Sequence, residues 1–135
     1  MRAKRIVSKD YGHPKSTFTQ ACEVEANGRM LFFSGITARD AQANVVAPGD
    51  IEGQCRQVFA NIQRILAAAG ADVEDVVKTN AYVTRSEYME VYRRIKVEVF
   101  GDAGPPGTVV QVVALYDPLQ LIEIELVAVV NRAAG

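Results

Sequence analysis

The clearest pattern in the chain is an apolar stripe at helical spacing that begins directly after Asp50. Apolar residues recur there every three or four positions, which predicts one buried face of a helix. Asp50 suits the N-cap position and Glu52 the first turn, while Gly70 suits the position just after the helix end. The stripe consists of Ile51, Cys55, Val58, Phe59, Ile62, Ile65, Leu66 and Ala69.

A second helical stripe follows Glu87 and ends before Gly101. The run TRSE at residues 84–87 has the form of a capping box, so we predict that the second helix starts there. The apolar members of this stripe are Tyr88, Tyr92, Ile95 and Val99.

The remaining apolar segments have strand character. They are Phe18–Val24, Met30–Ile36, Val76–Val83, Thr108–Leu115 and Leu121–Val130, with an optional short strand at Arg5–Val7. The dipeptide Asn27-Gly28 is a strong two-residue turn, so we expect the segments on either side of it to form a hairpin. The pattern predicts an α+β fold with a mixed sheet of five to six strands. Two helices cannot cover both faces of such a sheet, so both would pack on one face.

The last strand shows why the second face matters. Its side chains alternate, and one set is wholly apolar while the other mixes carboxylates with apolar residues. A partly apolar sheet face without covering helices is typical of a subunit interface, so we expect a homo-oligomer. The apolar set is Ile122, Ile124, Leu126 and Ala128, and the mixed set is Leu121, Glu123, Glu125, Val127 and Val129.

Length and charge narrow the function classes. The chain has 135 residues, about half of them apolar, which predicts a single domain spanning residues 1–135. With 15 basic and 16 acidic residues the net charge is −1, and no basic patch indicates nucleic-acid or membrane binding. The apolar runs fall well short of the ~20 residues of a membrane span, and the N-terminal residues do not resemble a signal peptide. We therefore expect a cytoplasmic protein.

The absence of known motifs excludes several mechanisms. There is no phosphate-binding loop, dinucleotide fingerprint or HExxH motif. His13 is the single histidine, and together with two cysteines it provides too few ligands for a structural zinc site. We expect neither a metal nor an organic cofactor.

Three features could support chemistry, and each has a structural alternative. Glu123 and Glu125 point to the same face, about 7 Å apart. They could form a solvated or interface pair, or one could act as a general base in a closed cleft. Arg39 could be a solvated loop residue or a clamp for a carboxylate. Phe18 could pack in the core or stack on a ligand.

Several stretches taken together resemble the Rid family, also called YjgF or the reactive-intermediate deaminases. They are VFANIQRIL at residues 58–66, AAAGADVEDVVKTNAYV at 67–83, FFSG at 32–35 and LIEIELVAV at 121–129. Each stretch alone is a weak signal, but their order and spacing are specific, and the resemblance covers residues 18–129.

The resemblance implies a chorismate-mutase-like fold of the bacillus type, assembled as a homotrimer with clefts between subunits. It also implies hydrolysis of enamines and imines derived from small carboxylic acids, with release of ammonia and without a cofactor. The carboxylated substrate and the trimer are thus the implied partners.

The site residues implied by the resemblance are Glu123, which would position water, together with Phe18 and Gly35 in the substrate cleft. Phe18 stands where the family has a tyrosine, so the phenol hydroxyl is missing. The family places an arginine after a proline and one further residue, before a serine or threonine. In this chain Gly107 occupies that position, between Pro106 and Thr108. The resemblance therefore places Gly107 and Thr108 among the predicted substrate-binding residues.

The missing arginine leaves three functions open. Loss of one charge-assisted hydrogen bond costs about 1.5–3 kcal/mol, which corresponds to at least a tenfold loss of activity on a small 2-imino acid. The chain could be a deaminase with an altered substrate range, gripping its substrate elsewhere, for instance through Arg39. It could instead bind a metabolite without turnover. Nucleic-acid processing, suggested by relatives labelled ribonucleases, is disfavoured by the balanced charge.

Overall fold

A computed structural model describes residues 1–11, 19–25 and 27–132. In these residues the chain forms six strands and two α-helices, and a short 3₁₀ turn, Val73–Asp75, precedes the fourth strand. The elements are β1 (Lys4–Ile6), β2 (Ala21–Glu23), β3 (Arg29–Phe32), α1 (Ile51–Ala68), β4 (Val76–Val83), α2 (Tyr88–Phe100), β5 (Gly107–Gln111) and β6 (Ile122–Val130). The predicted α+β class is confirmed.

The six strands form two sheets rather than the single sheet that we predicted. Four of them lie in the order β3-β6-β4-β5, and β1 pairs with β2 in a separate two-stranded sheet. In the larger sheet β4 and β5 are parallel, while β6 is antiparallel to both β3 and β4. The helix α2 connects the two parallel strands, as a crossover between parallel strands requires.

The predicted hairpin at Asn27-Gly28 is wrong, because within the described residues β2 pairs with β1 and β3 pairs with β6. Gly28 has a different structural role. A Cβ placed on it would lie 1.9 Å from the carbonyl oxygen of Val130. The glycine therefore allows the chain to pass close to the end of β6, which directs β3 onto β6 instead of back onto β2.

The two helices differ in how they begin. Asp50 accepts a hydrogen bond from the Gly53 amide at 3.0 Å, which confirms the predicted N-cap of α1. The predicted capping box of α2 is wrong, because Glu87 makes no side-chain cap bond and is paired with Arg85 at 3.0 Å. The first amides of α2 donate instead to backbone carbonyls of the preceding turn, so no side-chain cap is needed.

The core lies between the helices and one face of the large sheet. The alternation predicted for β6 is confirmed, since its apolar set is at most 3% exposed. Phe59 of α1 stacks on Tyr92 of α2 and meets Phe100 edge to face. Ile65 departs from the predicted stripe, because it is 41% exposed.

The other face of the large sheet has no helix packed on it, and we call it the open face. Apolar side chains are exposed there, with Phe32 at 72%, Met30 at 48% and Val110 at 41%. Strand register places the following residues on it: Met30, Phe32, Asn80, Tyr82, Thr108, Val110, Glu123, Glu125, Val127 and Val129. The apolar character expected from β6 thus extends to β3 and β5, while both acidic residues of this face lie on β6.

Residues near both ends of the described chain meet at Asp75. The side chain of Asp75 is 1% exposed and accepts hydrogen bonds from Arg2 at 2.7 Å and from Arg132 at 2.6 and 2.8 Å. Burial acts to raise the pKa of Asp75. The hydrogen bonds from Arg132 and the Asp72 backbone outweigh that effect, together with the charges of both arginines, and lower the pKa to about 2.

Candidate functional site

The two glutamates of β6 have different surroundings. Glu125 accepts a hydrogen bond from the Tyr82 hydroxyl at 2.6 Å and a weaker one from Asn80 at 3.5 Å. The hydrogen bond with Glu125 raises the pKa of Tyr82. No group in the described residues donates a hydrogen bond to the carboxylate of Glu123. Of the two acids, Glu123 therefore has its full capacity to bind water or substrate.

Glu123 is held against the chain segment that follows β3. A Cβ placed on Gly35 would lie 2.0 Å from Glu123 Oε1, so the carboxylate occupies the space that a side chain at position 35 would need. The neighbouring Ile36 forms a backbone bridge to Ile124. This bridge fixes Gly35 beside Glu123 and brings together two of the predicted site residues.

Arg39 lies in the same region but is already paired. Its guanidinium donates to Asp117 Oδ2 at 3.0 Å and to the carbonyl oxygen of Ala43 at 2.8 Å. Gly35 and Arg39 line one cavity of about 420 Å³, together with Arg64. Arg39 therefore reaches a cavity beside Gly35, with two of its five N–H donors committed to the protein.

Buried and half-buried amides hold the Arg39 loop in place. Gln120 is 1% exposed and exchanges two hydrogen bonds of 3.0 Å with the backbone of Ala38. Asn61 and Gln57 of α1 donate to the carbonyl oxygen of Arg39 at 2.9 and 3.3 Å. These glutamines and the asparagine escaped the sequence analysis, because a single amide side chain on a helix or in a loop gives no sign of its partner.

Gly107 and Thr108 lie at the start of β5 and point in opposite directions. Thr108 belongs to the open face, in register with Asn80. A Cβ placed on Gly107 would point to the helix side, 2.2 Å from Thr79 Oγ1 and 2.8 Å from the Thr79 carbonyl oxygen. The glycine therefore allows the backbone of β5 to approach β4 more closely than any side chain would permit.

Beside Gly107 lies a lysine that the sequence analysis did not single out. Lys96 of α2 places its Nζ 2.8 Å from the position of a Cβ at residue 107. It lines a second cavity of about 320 Å³ together with Gly107 and Thr108. Burial and the charge of Lys78 lower the pKa of Lys96 to about 8. Its position one helical turn after the buried Tyr92 is the sequence signal that could have indicated it.

The predicted site residues thus fall into two groups within one chain. Gly35 and Arg39 line one cavity, with Glu123 against Gly35, whereas Gly107 and Thr108 line another. Phe18 lies outside the described residues. The two cavities have no lining residue in common.

Searches for other kinds of site gave no candidate. Among residues 1–11, 19–25 and 27–132, no three His, Cys, Asp or Glu side chains are grouped to hold a metal ion. In the same residues, neither helix is long and apolar enough to cross a bilayer.

Comparison with protein families gives one match that spans most of the chain. The family model described as endoribonuclease L-PSP matches residues 12–130. A RutC family protein of Pyrococcus horikoshii is 32% identical over 123 residues, which cover 91% of this chain and 94% of that protein. A protein of Dermatophagoides farinae named 2-iminobutanoate/2-iminopropanoate deaminase is 28% identical, with 97% of this chain and 100% of that protein covered.

Solved structures show the same fold. A protein of the conserved Rid family from Yersinia pestis, YyfB, superposes with a TM-score of 0.83 at 30% identity, covering 96% of this chain and 100% of that one. Rv2704 of Mycobacterium tuberculosis, a member of the YjgF/YER057c/UK114 family, gives a TM-score of 0.67 at 27% identity, with 95% and 98% covered. The two-helix, mixed-sheet architecture is therefore that of the Rid/YjgF proteins.

Proposed function

The chain belongs to the Rid family, also described as endoribonuclease L-PSP, and on this basis we propose that it hydrolyses the carbon–nitrogen bond of a small imine- or enamine-containing carboxylic acid. The products are the corresponding 2-oxo acid and ammonia. The similarity to a protein named 2-iminobutanoate/2-iminopropanoate deaminase supports this choice of reaction.

In the proposed reaction Glu123 acts as the general base. An enamine first takes a proton on carbon and becomes the iminium ion, the form that an imine reaches by protonation on nitrogen. Glu123 then accepts a proton from a water molecule as its oxygen attacks the iminium carbon, which gives a neutral carbinolamine. Glu123 returns that proton to nitrogen, the carbon–nitrogen bond breaks to release ammonia, and the hydroxyl proton passes to the Glu123 carboxylate and then to solvent as the carbonyl group forms. The reaction consumes one water and changes no oxidation state, so it requires no redox cofactor.

The observation that carries the proposal is the difference between the two carboxylates of β6. Glu125 is engaged by Tyr82, whereas Glu123 lies against Gly35 with no donor among the described residues. A general base must be within hydrogen-bond reach of the proton that it takes and must not be neutralised by a partner. Glu123 meets the second of these requirements, and the first is part of the proposal.

We further propose that the enzyme is a homotrimer whose substrate clefts lie between subunits. Two observations support this assembly. The open face exposes Phe32, Met30 and Val110, which form an apolar surface of the kind that subunits bury. The two groups of site residues also line separate cavities in one chain, so a cleft that uses both groups requires a neighbouring subunit.

The reaction can be tested with an imine that is generated enzymatically in the assay mixture. An amino-acid oxidase, with catalase present, converts an L-amino acid to the 2-imino acid. The appearance of the 2-oxo acid and ammonia is then followed with and without this protein. We expect the protein to accelerate hydrolysis, and Glu123→Gln to abolish the acceleration while Glu125→Gln retains most of it. Equal rates for wild type and Glu123→Gln would exclude Glu123 as the base.

A second candidate function is metabolite binding without turnover. It is favoured by the absence of a side chain at Gly107 and by the pairing of Arg39 with Asp117. A thermal-shift series with 2-oxo acids separates the two candidates. Stabilisation by these acids without any imine hydrolysis would favour binding alone.

A further inference from the structure

Lys96 is a half-buried cation without an acidic partner among the described residues. Its ammonium also contacts the ring of Tyr92, whose centroid is 6.0 Å from Nζ. Glu90 is the nearest carboxylate along α2 that lines the same cavity, and it pairs with Arg93 at 3.0 Å. Removing an ammonium from water without a counter-ion costs free energy, so such a group indicates a ligand that supplies the missing charge.

The cavity around Lys96 has the shape and lining of a small-molecule site. Its volume of about 320 Å³ lies in the range of ligand pockets, and apolar residues and bare backbone form most of its wall. The backbone part is the stretch Gly104–Gly107, which has no charged side chain. Thr19 closes one side, and its hydroxyl donates to the carbonyl oxygen of Gly104 at 2.6 Å.

The position of the ammonium depends on the glycine opposite. Lys96 Nζ lies 2.8 Å from where the Cβ of residue 107 would be, so any side chain there would displace it. A cation from α2 thus stands at the start of β5, in the space that a side chain at position 107 would otherwise take.

We propose that Lys96 binds the carboxylate of the substrate in this cavity, supplying from α2 the positive charge that position 107 lacks. The ligand class is a small monocarboxylate with an apolar chain, because the site offers one cation without an acidic partner among the described residues and mostly apolar walls. This inference rests on the proposed function, which identifies the acid as a 2-imino or 2-oxo acid.

Binding can be measured without turnover. Isothermal titration of the wild-type protein with 2-oxobutanoate at pH 7 and low salt is compared with titration of the neutral 2-oxobutanamide. We expect the acid to bind and the amide to bind at least tenfold more weakly. Amide chemical shifts should change at Gly104 and Gly107, which line the cavity.

Variants at the lysine test the assignment. Lys96→Met should weaken 2-oxobutanoate binding by about 10- to 100-fold, as expected for the loss of one charge-assisted hydrogen bond. Lys96→Arg should retain binding within a few-fold. Arg93→Met, which removes a cation of the same cavity that is already paired with Glu90, should change affinity less than threefold. Thermal melting confirms that each variant is folded.

The pH dependence gives an independent check. Binding should weaken as the pH rises through about 8, because Lys96 loses its proton there. The other ionisable groups facing the cavity are Glu90, Arg93 and Asp102, with Lys78 nearby and with Tyr92, whose pKa is raised by burial to about 12. None of these has an ordinary pKa near 8, and Lys96→Arg should therefore shift the loss of binding to higher pH.

The outcomes separate this inference from the proposed reaction. Lys96-dependent binding of 2-oxobutanoate without imine hydrolysis would support the site and overturn the reaction. Glu123-dependent hydrolysis with an unchanged KM in Lys96→Met would support the reaction and overturn the role of Lys96. Equal affinity of wild type and Lys96→Met for 2-oxobutanoate would also overturn it.

Discussion

The carboxylate of Glu123 fits against the α-carbon of Gly35, so closely that a Cβ on that glycine would lie 2.0 Å from Oε1. The contact joins residues 88 positions apart in sequence. It places an acid without a donor among the described residues next to a cavity that also contains Arg39. The proposed hydrolysis depends on this contact, because it sets the position of the base.

Replacing Gly35 with alanine should displace Glu123 and slow the reaction. The added methyl group meets the flexible end of a side chain rather than backbone, so the fold should survive while the carboxylate moves. A misplaced catalytic group can cost about 100-fold in rate. We expect a loss of tenfold or more in kcat, with a melting temperature within a few degrees of wild type. An unchanged kcat would show that the position of Glu123 does not matter.

Replacing Gly107 with alanine should destabilise the protein. The new Cβ would lie 2.8 Å from the Thr79 carbonyl oxygen and 2.2 Å from Thr79 Oγ1, and the backbone carbonyl cannot rotate away. Overpacking of this kind costs about 1–3 kcal/mol in the free energy of unfolding. Urea denaturation measures the change. Thr108→Ala on the same strand, where the side chain is exposed, is the matched control and should be nearly neutral.

Removal of the Lys96 charge should stabilise the ligand-free protein at neutral pH. The pKa of Lys96 is about 8 in the folded chain, against an ordinary value of 10.5. Between these two pH values the unfolded chain binds more protons, so wild-type stability rises with pH across that window. Lys96→Met should therefore be more stable than wild type at pH 7, and its advantage should shrink between pH 8 and 10.5. Chemical denaturation at several pH values tests this, and a difference that stays constant with pH would contradict it.

Asp75 should account for part of the loss of stability in acid. Its pKa of about 2 lies below the ordinary 3.8, so its contribution is complete above pH 3.8 and is lost as the pH falls through 2. Asp75→Asn should lower the free energy of unfolding by about 1–2 kcal/mol at pH 7, after allowance for the half-exposed arginines. The variant should also lose less free energy of unfolding than wild type as the pH falls below 3.8. Glu74→Gln, next to it but half exposed, is the control.

A charge on the exposed apolar surface of the open face should break the proposed trimer. Phe32 is 72% exposed on the open face, and a buried lysine without a partner would oppose association. We expect Phe32→Lys to elute and scatter light as a monomer, whereas Gln63→Lys on the solvent side of α1 should behave as wild type. A wild-type protein that is already monomeric would overturn the proposed assembly.

Local signals predicted those parts of the fold that depend on nearby residues. The N-cap at Asp50, the bounds Val76–Val83 of β4 and the alternation of β6 all follow from spacing within a few residues. The pairing of β2 with β1 was not predictable in this way. The pairing of β3 with β6 was not predictable either, since there Gly28 approaches Val130, a contact between residues about a hundred positions apart.

The candidate site likewise divides into residues that the sequence predicted and residues that depend on distant contacts. Gly35 was predicted from the resemblance and Glu123 from both the alternation of the last strand and the resemblance, while Lys96 was missed because its surroundings depend on Gly107. A lysine on a helix is normally solvated, and the space that the Lys96 ammonium occupies is open because residue 107 has no side chain. The spacing of Lys96 from Tyr92 indicates the side of α2 on which the lysine lies, but not that position 107 is its neighbour.

The close approach of β5 to β4 at Gly107 also limits which substitutions position 107 can accept during evolution. An arginine introduced at that position by a single mutation would meet the backbone of Thr79 and the ammonium of Lys96 before it reached any substrate. Accommodating an arginine at position 107 would therefore need coordinated changes on two strands and a helix. The packing of β4 and α2 against this glycine thus limits which residues can replace it.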